Sequence, residues 1–315
     1  MKSHYRLLPD ATLVITIFLL LLIPLLKSPY ATTWFMTLFL YITLAQSWNL
    51  MAGFAGQFSL GHSAFVGIGG AASALLLLYL GTAPYTSVLV GGVTALALAA
   101  AVSVPFFQLK GPYFAFSTLG LAEILKVILS AQSELGGTGG ISLPLRIDAN
   151  LSYYVQMILA LVTTVTVYKI AGSKFGVGLI AIREDEDVAE ALGIPVLKFK
   201  IMAFMLSCFL AGLAGSIFSL SLSYYNVISF FDLSWSLRTV LMVMIGGLGT
   251  VGGPIIGAII LVFLYNWLLV LPYWNLVIMG VILIVVAVIA PKGVIGELLK
   301  IPILRSAMRK IEKKI

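Results

Sequence analysis

YTSVLVGGVTALALAAAVSVPFF, residues 85–107, holds no charged side chain. A helix rises 1.5 Å per residue, so this stretch reaches about 34 Å and can cross roughly 30 Å of hydrocarbon. It has no polar face for solvent and reads as a membrane-crossing helix. Composition extends the reading to the whole chain. Of 315 residues, 61% are hydrophobic and 10% charged, and the mean hydropathy is +1.10. A chain this apolar must turn much of its surface to lipid. The net charge of +7 forms no continuous basic stripe of the kind that holds nucleic acid.

Working outward with Gly, Pro and charge as punctuation, crossings fall near residues 11–26, 31–51, 63–80, 85–107 and 114–131. A second set falls near 151–170, 199–223, 235–246, 254–270 and 274–290, with 235–246 too short to span comfortably. The expected fold class is all-α, a polytopic transmembrane helical bundle of about ten spans including broken or short helices. Lys2 and Arg6 before the first apolar run imitate a signal peptide. IPLLKSPY, residues 23–30, lacks an A-x-A-like cleavage site, so that run reads as an uncleaved first helix.

An even number of spans puts both termini on one side, and charge tests the count. That side collects Lys2, Arg6, Lys110, Lys169, Lys174, Arg183, Lys198, Lys200 and every basic residue from Lys292 onward. Lys27 and Arg146 alone fall opposite, with Lys126 and Arg238 inside spans. By the positive-inside rule both N and C termini are cytoplasmic. The expected organisation is a transmembrane domain over 1–290, with a cytoplasmic loop at 172–198, and a basic amphipathic tail over 291–315 lying on the anionic inner leaflet.

Two stretches interrupt the apolar pattern: AGFAGQFSLGHSAFVGIGG, 52–70, and IGGLGTVGGPIIG, 245–257. Irregular backbone at membrane depth must be buried in protein or line a polar cavity, so broken helices in two halves of a chain point to a transport pathway. The plainer reading is close helix packing through small residues. Gln57, Ser59, His62 and Ser63 could hydrogen-bond unwound backbone or solute, although a lone histidine at a helix start is more often structural. With Gly246, Gly247 and Gly249 they make up candidate pathway residues. Glu123 and Lys126 join that set. They lie three residues apart on one helix face, where they can neutralise each other as an internal ion pair or line the pathway. Gln46, Asn49, Asn266 and Asn275 are dispersed positions suited to interhelical hydrogen bonds. Arg238 is read as snorkelling from the start of the short span, with a carboxylate-binding role as the lesser alternative.

Between the sixth and seventh spans, GSKFGVGLIAIREDEDVAEALGIPVLKFK places Glu184, Asp185, Glu186 and Asp187 at a helix N-terminus, where the macrodipole favours acids. Ala189 and Leu192 continue that helix, and Gly193 followed by Pro195 ends it. A short capped helix therefore projects into the cytoplasm. Such a helix suits either a solvated loop or a docking element for a separate motor.

Other chemistries have no residues to carry them. No G-x-x-x-x-G-K-[ST] loop is present, so the chain does not bind ATP in that manner. The single cysteine, Cys208, lies in an apolar stretch, and no metal-spaced cluster or G-x-S-x-G elbow occurs. The expectation is a non-enzyme with no catalytic, cofactor or metal site, which leaves transport or a structural role.

GQFSLGHSAFVGIGG (56–70), LKGPYFAFSTLGLAEI (109–124), AIREDEDVAEALGIPVLKFK (181–200), AFMLSCFLAGLAGSIF (203–218) and MVMIGGLGTVGGPIIGA (242–258) occur in one order. Together they resemble the branched-chain amino-acid ABC transporter permease family over about residues 40–290, and GPYFAFSTL with the REDE loop is more similar to its LivM-type subunit. The resemblance implies an importer in the bacterial or archaeal cytoplasmic (inner) membrane. It also implies a second, unlike permease, two ATPase subunits that bind the ATP, and an extracytoplasmic solute-binding protein. Ile182 to Gly193 would form the coupling helix seated in an ATPase groove: Ile182, Arg183, Glu184, Asp185, Glu186, Asp187, Ala189, Leu192 and Gly193. Arg238 stands in SWSLRTVLMVM where the family suggests an apolar or small residue, which leaves the solute open. Urea and short-chain amide importers have similar permeases. The rivals from other classes are an ion-coupled secondary transporter with Glu123 as its ion site, and a non-transporting membrane scaffold.

Overall fold

A computed structural model describes residues 19–26, 28–109, 111–144 and 148–268, with residues 277–278, 280–282, 284–285 and 293. Residues 11–18 of the span expected at 11–26, most of the span expected at 274–290, the tail at 291–315 apart from residue 293, and Lys110 and Arg146 lie outside the described residues. Among the described residues, six helices are long and apolar enough to cross a membrane, and the chain is a polytopic, multi-pass helical membrane protein.

α1, Pro29–Asn49, starts where the Ser28 hydroxyl caps Ala31 N–H and Pro29 supplies a preset φ. It is buried continuously from Leu38 to its end, so it is a central helix enclosed by the others. A π-helical segment, Leu50–Phe54, extends it three residues beyond the expected end at 51. The backbone unwinds over 56–61 before α2, His62–Leu80. The first glycine-rich stretch therefore splits into a true break and a helical part. In the helical part, a β-carbon on Gly69 would strike the Gly212 carbonyl, and one on Gly215 would strike Val66. Those residues belong to α2 and to α8, Val196–Leu222, which pack along each other and along α3, Pro84–Phe107. Small residues let backbones approach here, and Ser216 Oγ donates to Gly69 O at 2.9 Å across the contact.

α4, Pro112–Ser130, and α5, Ala149–Ala171, flank this core, α5 against α1 and α4 beside α2 and α3. At 27 residues α8 spans about 40 Å, so its two ends lie at opposite faces of the bundle. Past its C-terminus, β1, Ile141–Ser142, pairs antiparallel with β2, Tyr224–Tyr225, with Ile141 opposite Tyr225. That small sheet has no hydrophobic run to announce it. Before its N-terminus lie α6, Lys174–Glu184, and α7, Glu186–Ala191. This corrects the single loop helix with four acids in its first turn. Glu184 closes α6, and Asp185 turns extended (φ −161°, ψ 115°) and caps α7 by accepting from Val188 N at 3.0 Å. Only Glu186 and Asp187 occupy α7's first turn. The aspartate's capacity to cap stops one helix and starts another.

The short span is α10, Leu233–Gly246, 14 residues long, preceded by a single turn, α9, Val227–Phe230. α11, Gly253–Leu268, turns back beside α10 and packs on α1.

Candidate functional site

The two glycine breaks, far apart in sequence, meet in space. α10 ends at Gly247 (φ +128°), and Gly249 (φ +74°) takes a left-handed conformation that β-carbons disfavour. This unwound turn exposes peptide groups that lipid could not satisfy. The last turn of α1 satisfies them. Asn49 Oδ1 accepts from Gly249 N at 2.9 Å while its Nδ2 donates to Thr250 O at 2.8 Å. Gln46 Nε2 donates to Val251 O at 2.7 Å. Thr250 Oγ1 accepts from Gly253 N at 3.0 Å and so caps α11.

Arg183, at the end of α6, reaches into the same place. Its Nη1 donates to Gly53 O at 2.7 Å, while Nε and Nη2 donate to Glu184 Oε1 at 3.1 and 2.6 Å. A β-carbon on Gly249 would come 2.6 Å from Arg183 Nη1 and one on Gly56 2.8 Å from Arg183 Cγ, so the guanidinium fits because both are glycine. Beside it, Glu186 Oε1 accepts from Gln57 Nε2 at 3.0 Å and pairs with Lys200 Nζ, the side chain of Lys200 being only 7% exposed. Thus α6 and α7 are bonded to the first break and to the foot of α8, and Arg183 lies against the second break at Gly249. Ile182 and Ala189 are buried and anchor the helix pair, whereas Asp187, Val188, Glu190 and Leu192 are exposed.

His62 opens α2 in a buried serine pocket. Ser47 Oγ already donates to Leu44 O at 2.8 Å and Ser207 Oγ to Ser47 O at 2.6 Å. Both hydroxyls therefore present lone pairs to His62 Nε2, at 3.1 and 3.4 Å, so Nε2 carries the proton of a neutral ring. Ser59 is buried too, its carbonyl accepting from Trp48 Nε1 at 2.7 Å and its hydroxyl from Gly61 N at 3.2 Å. Ser63 N donates to Ser236 Oγ at 3.0 Å, joining α2 to α10. Gly246, buried, lets α10 end against the first residue of α11.

Of the residues singled out from sequence, the structure brings Gln57, Gly249, Arg183 and Glu186 into one junction and sets Ser59, His62 and Ser63 just beyond it. Glu123 and Lys126 are elsewhere, paired at 2.6 Å on a half-exposed face of α4. Sequence reading placed no site function on Gln46, Asn49, Thr250 or Lys200. The signal for the first two is two carboxamides one turn apart at the end of an apolar helix, immediately before a glycine break. Among the described residues no group of three or more His, Cys, Asp or Glu side chains is placed to hold a metal.

The family model described as branched-chain amino acid transport system / permease component matches residues 30–287. The LivM permease protein of the high-affinity branched-chain amino acid transport system of Escherichia coli (strain K12) is 26% identical over 288 residues, covering 81% of this chain and 68% of that protein. Its Salmonella typhimurium (strain LT2) counterpart is 25% identical with the same coverage. A probable branched-chain amino acid transport permease protein LivM of Methanocaldococcus jannaschii is 24% identical over 327 residues, covering 86% of this chain and 94% of its own. No solved structure matches the chain at a significant level. With the match spanning both glycine breaks, the helix pair beside them and all six of the described helices long and apolar enough to cross a membrane, the chain belongs to the branched-chain amino acid transport permease family.

Proposed function

We propose that this chain is one of two unlike permeases in an ATP-driven importer that carries branched-chain amino acids across the cytoplasmic membrane of a bacterium or archaeon. It has about ten spans with both termini in the cytoplasm, following the distribution of Lys and Arg. Residues 1–290 form the membrane domain, and the basic tail at 291–315 lies on the inner leaflet. Two ATPases in the cytoplasm bind and hydrolyse ATP, and a solute-binding protein delivers cargo outside. Ile182 to Gly193, the end of α6 together with α7, receive the motion of one ATPase. The strand pair β1–β2 belongs to the outer face.

The observation that carries the reading is the Arg183 bridge. A helix pair held only by its own loop would move without consequence, whereas one bonded to Gly53 O pulls on the π-helical end of a central helix. The second break rests on that same helix through Asn49. Closure of the ATPases would thus shift both breaks together, and interconversion of two packings opens the pathway to alternate sides. Specificity lies largely in the binding protein, which agrees with the scarcity of charge along the spans.

Reconstitution with the partner permease, ATPases and binding protein tests this. ATP-dependent uptake of leucine, isoleucine and valine is expected. Uptake by this chain alone, driven by a pH or sodium gradient, would sink the reading, and transport of urea in place of the amino acids would move the solute to the amide class.

A further inference from the structure

Arg238 belongs to none of the contacts above. It sits in the second turn of α10, where Nη1 donates to Tyr41 OH at 2.9 Å and Nη2 to Tyr265 OH at 3.3 Å, and the guanidinium carbon lies 4.2 Å from the centre of the Tyr265 ring. Tyr41 is buried on α1, Tyr265 is on α11, and the Trp235 ring lies tilted beside Tyr41, their centroids 5.6 Å apart. Three helices thus build an aromatic seat around one cation.

The seat supplies no counter-charge. Among the described residues no carboxylate is within ion-pair distance of Arg238. The sequence has no Asp or Glu between Asp232 and Glu297, nor between Asp10 and Glu123, so neither α1 nor α11 carries one. Asp232 is exposed and occupied in capping α10, accepting from Ser234 N at 2.8 Å. Moreover Arg238 Nε is buried without an acceptor. Tyrosine hydroxyls hold a guanidinium in place without neutralising it, and the Nε side of the fork is the edge that matches a carboxylate bidentately. An ionisable group kept at membrane depth without its pair is costly and marks a functional position.

Depth agrees. Arg238 precedes Gly246 by about 12 Å of helix rise, and the glycine junction adjoins the helix pair on the ATPase side, so the guanidinium falls near the middle of a roughly 30 Å hydrocarbon layer. Solute sites built around broken helices lie at that level.

We propose that Arg238, presented by Tyr41 and Tyr265, binds the carboxylate of the solute during its passage through the permease. This rests on the importer reading and adds a residue that recognises one chemical group of the cargo. Snorkelling of Arg238 toward the interface, the expectation from sequence, gives way to a side chain held between α1 and α11. With Nε enclosed, the carboxylate reaches it when the α10–α11 hairpin shifts.

The test uses the assembled importer in detergent without its binding protein and follows thermal stability against added leucine and against 3-methylbutylamine, which is leucine lacking its carboxylate, at matched chloride. The wild type is expected to half-saturate with leucine at least about tenfold below the amine, the loss typical of one charge-assisted bidentate contact. Arg238→Gln should abolish the preference and Tyr41→Phe should narrow it. A wild type that responds equally to both probes, or to sodium chloride alone as well as to leucine, overturns the proposal, as does an undiminished preference in Arg238→Gln. If Arg238→Gln fails to assemble, an unchanged preference in Tyr41→Phe overturns it. Loss of stability with the preference retained would mark Arg238 as a structural strut. Uptake with the binding protein separates the two readings. Leucine import by Arg238→Gln at the wild-type KM sinks the carboxylate site and leaves the importer. A wild type that moves urea and no amino acid, while 4-methylpentanoate still gives an Arg238-dependent shift, sinks the amino-acid reading and leaves the carboxylate site.

Discussion

Arg183 Nη1 donates to the Gly53 carbonyl oxygen at 2.7 Å, linking the end of α6 to the π-helical segment that prolongs the central helix. Helical carbonyls at such a segment lack their usual partner, so an arginine from another element fills a need of the backbone and makes a mechanical connection at once. Arg183→Ala removes that connection while leaving the spans intact. Uptake and solute-stimulated ATP hydrolysis should fall about tenfold, since one hydrogen bond to a charged group is worth roughly 1.5 kcal/mol. Arg183→Lys should restore little, because a point charge cannot serve Gly53 and Glu184 together. Full coupling in Arg183→Ala would show that α6 is not a transmission element.

Asn49→Leu should destabilise the protein by about 1–2 kcal/mol, since it strands the part-buried Gly249 amide and Thr250 carbonyl without their side-chain partners. Asn49→Asp keeps only the acceptor and should recover part of the loss. Hydrogen exchange at the Gly249 amide checks the cause: it should accelerate strongly in the leucine variant and little in the aspartate variant.

Reversing the loop acids will not act uniformly, because their partners differ. Glu186 is the partner of Lys200, whose side chain is 7% exposed, whereas Asp187 is exposed and pairs with nothing among the described residues. Glu186→Gln should cost roughly 2 kcal/mol, a buried-pair penalty reduced by the partial exposure of the carboxylate. Asp187→Asn should change thermal stability by less than about 0.5 kcal/mol. Equal effects in a melting experiment would contradict the role given to Lys200.

Val188 on α7 and Leu192, the residue that caps its C-terminus, stand four residues apart and are 55% and 75% exposed. No lipid-facing span contains them, so their apolar surface suits a protein groove. Leu192→Glu should leave melting unchanged and weaken co-purification of the ATPases about tenfold, by desolvation of a charge in an apolar contact. Retention of the ATPases at wild-type level would remove Leu192 from the docking surface.

Much of the span layout is legible because crossing a bilayer is a local demand. Residues 85–107 are long and apolar enough wherever they sit, and α3 occupies Pro84–Phe107. Gly193 and Pro195 likewise mark the end of α7 by backbone preference alone. Asp185 shows the limit. In a run of four acids, which one caps and which continues a helix depends on where α6 stops, and that is set by how Ile182 and Arg183 dock. For Glu123 and Lys126 the i, i+3 spacing allows an internal ion pair or a pathway lining, and the structure shows the pair formed on α4. Asn49 and Gln46 were inconspicuous, since a carboxamide near a helix end has many ordinary uses.

By itself the sequence determined a multi-pass helical membrane protein, the approximate span positions, the two interruptions and the family to which its motifs belong, because helix length, apolarity and glycine content are properties of contiguous residues. Only the tertiary structure decided that the interruptions share one junction, that α1 supplies the hydrogen bonds for the second, and that Arg183 enters between Gly53 and Gly249. An unwound peptide in a dry interior must find donors and acceptors outside its own segment, and which side chains answer is fixed by how distant helices pack.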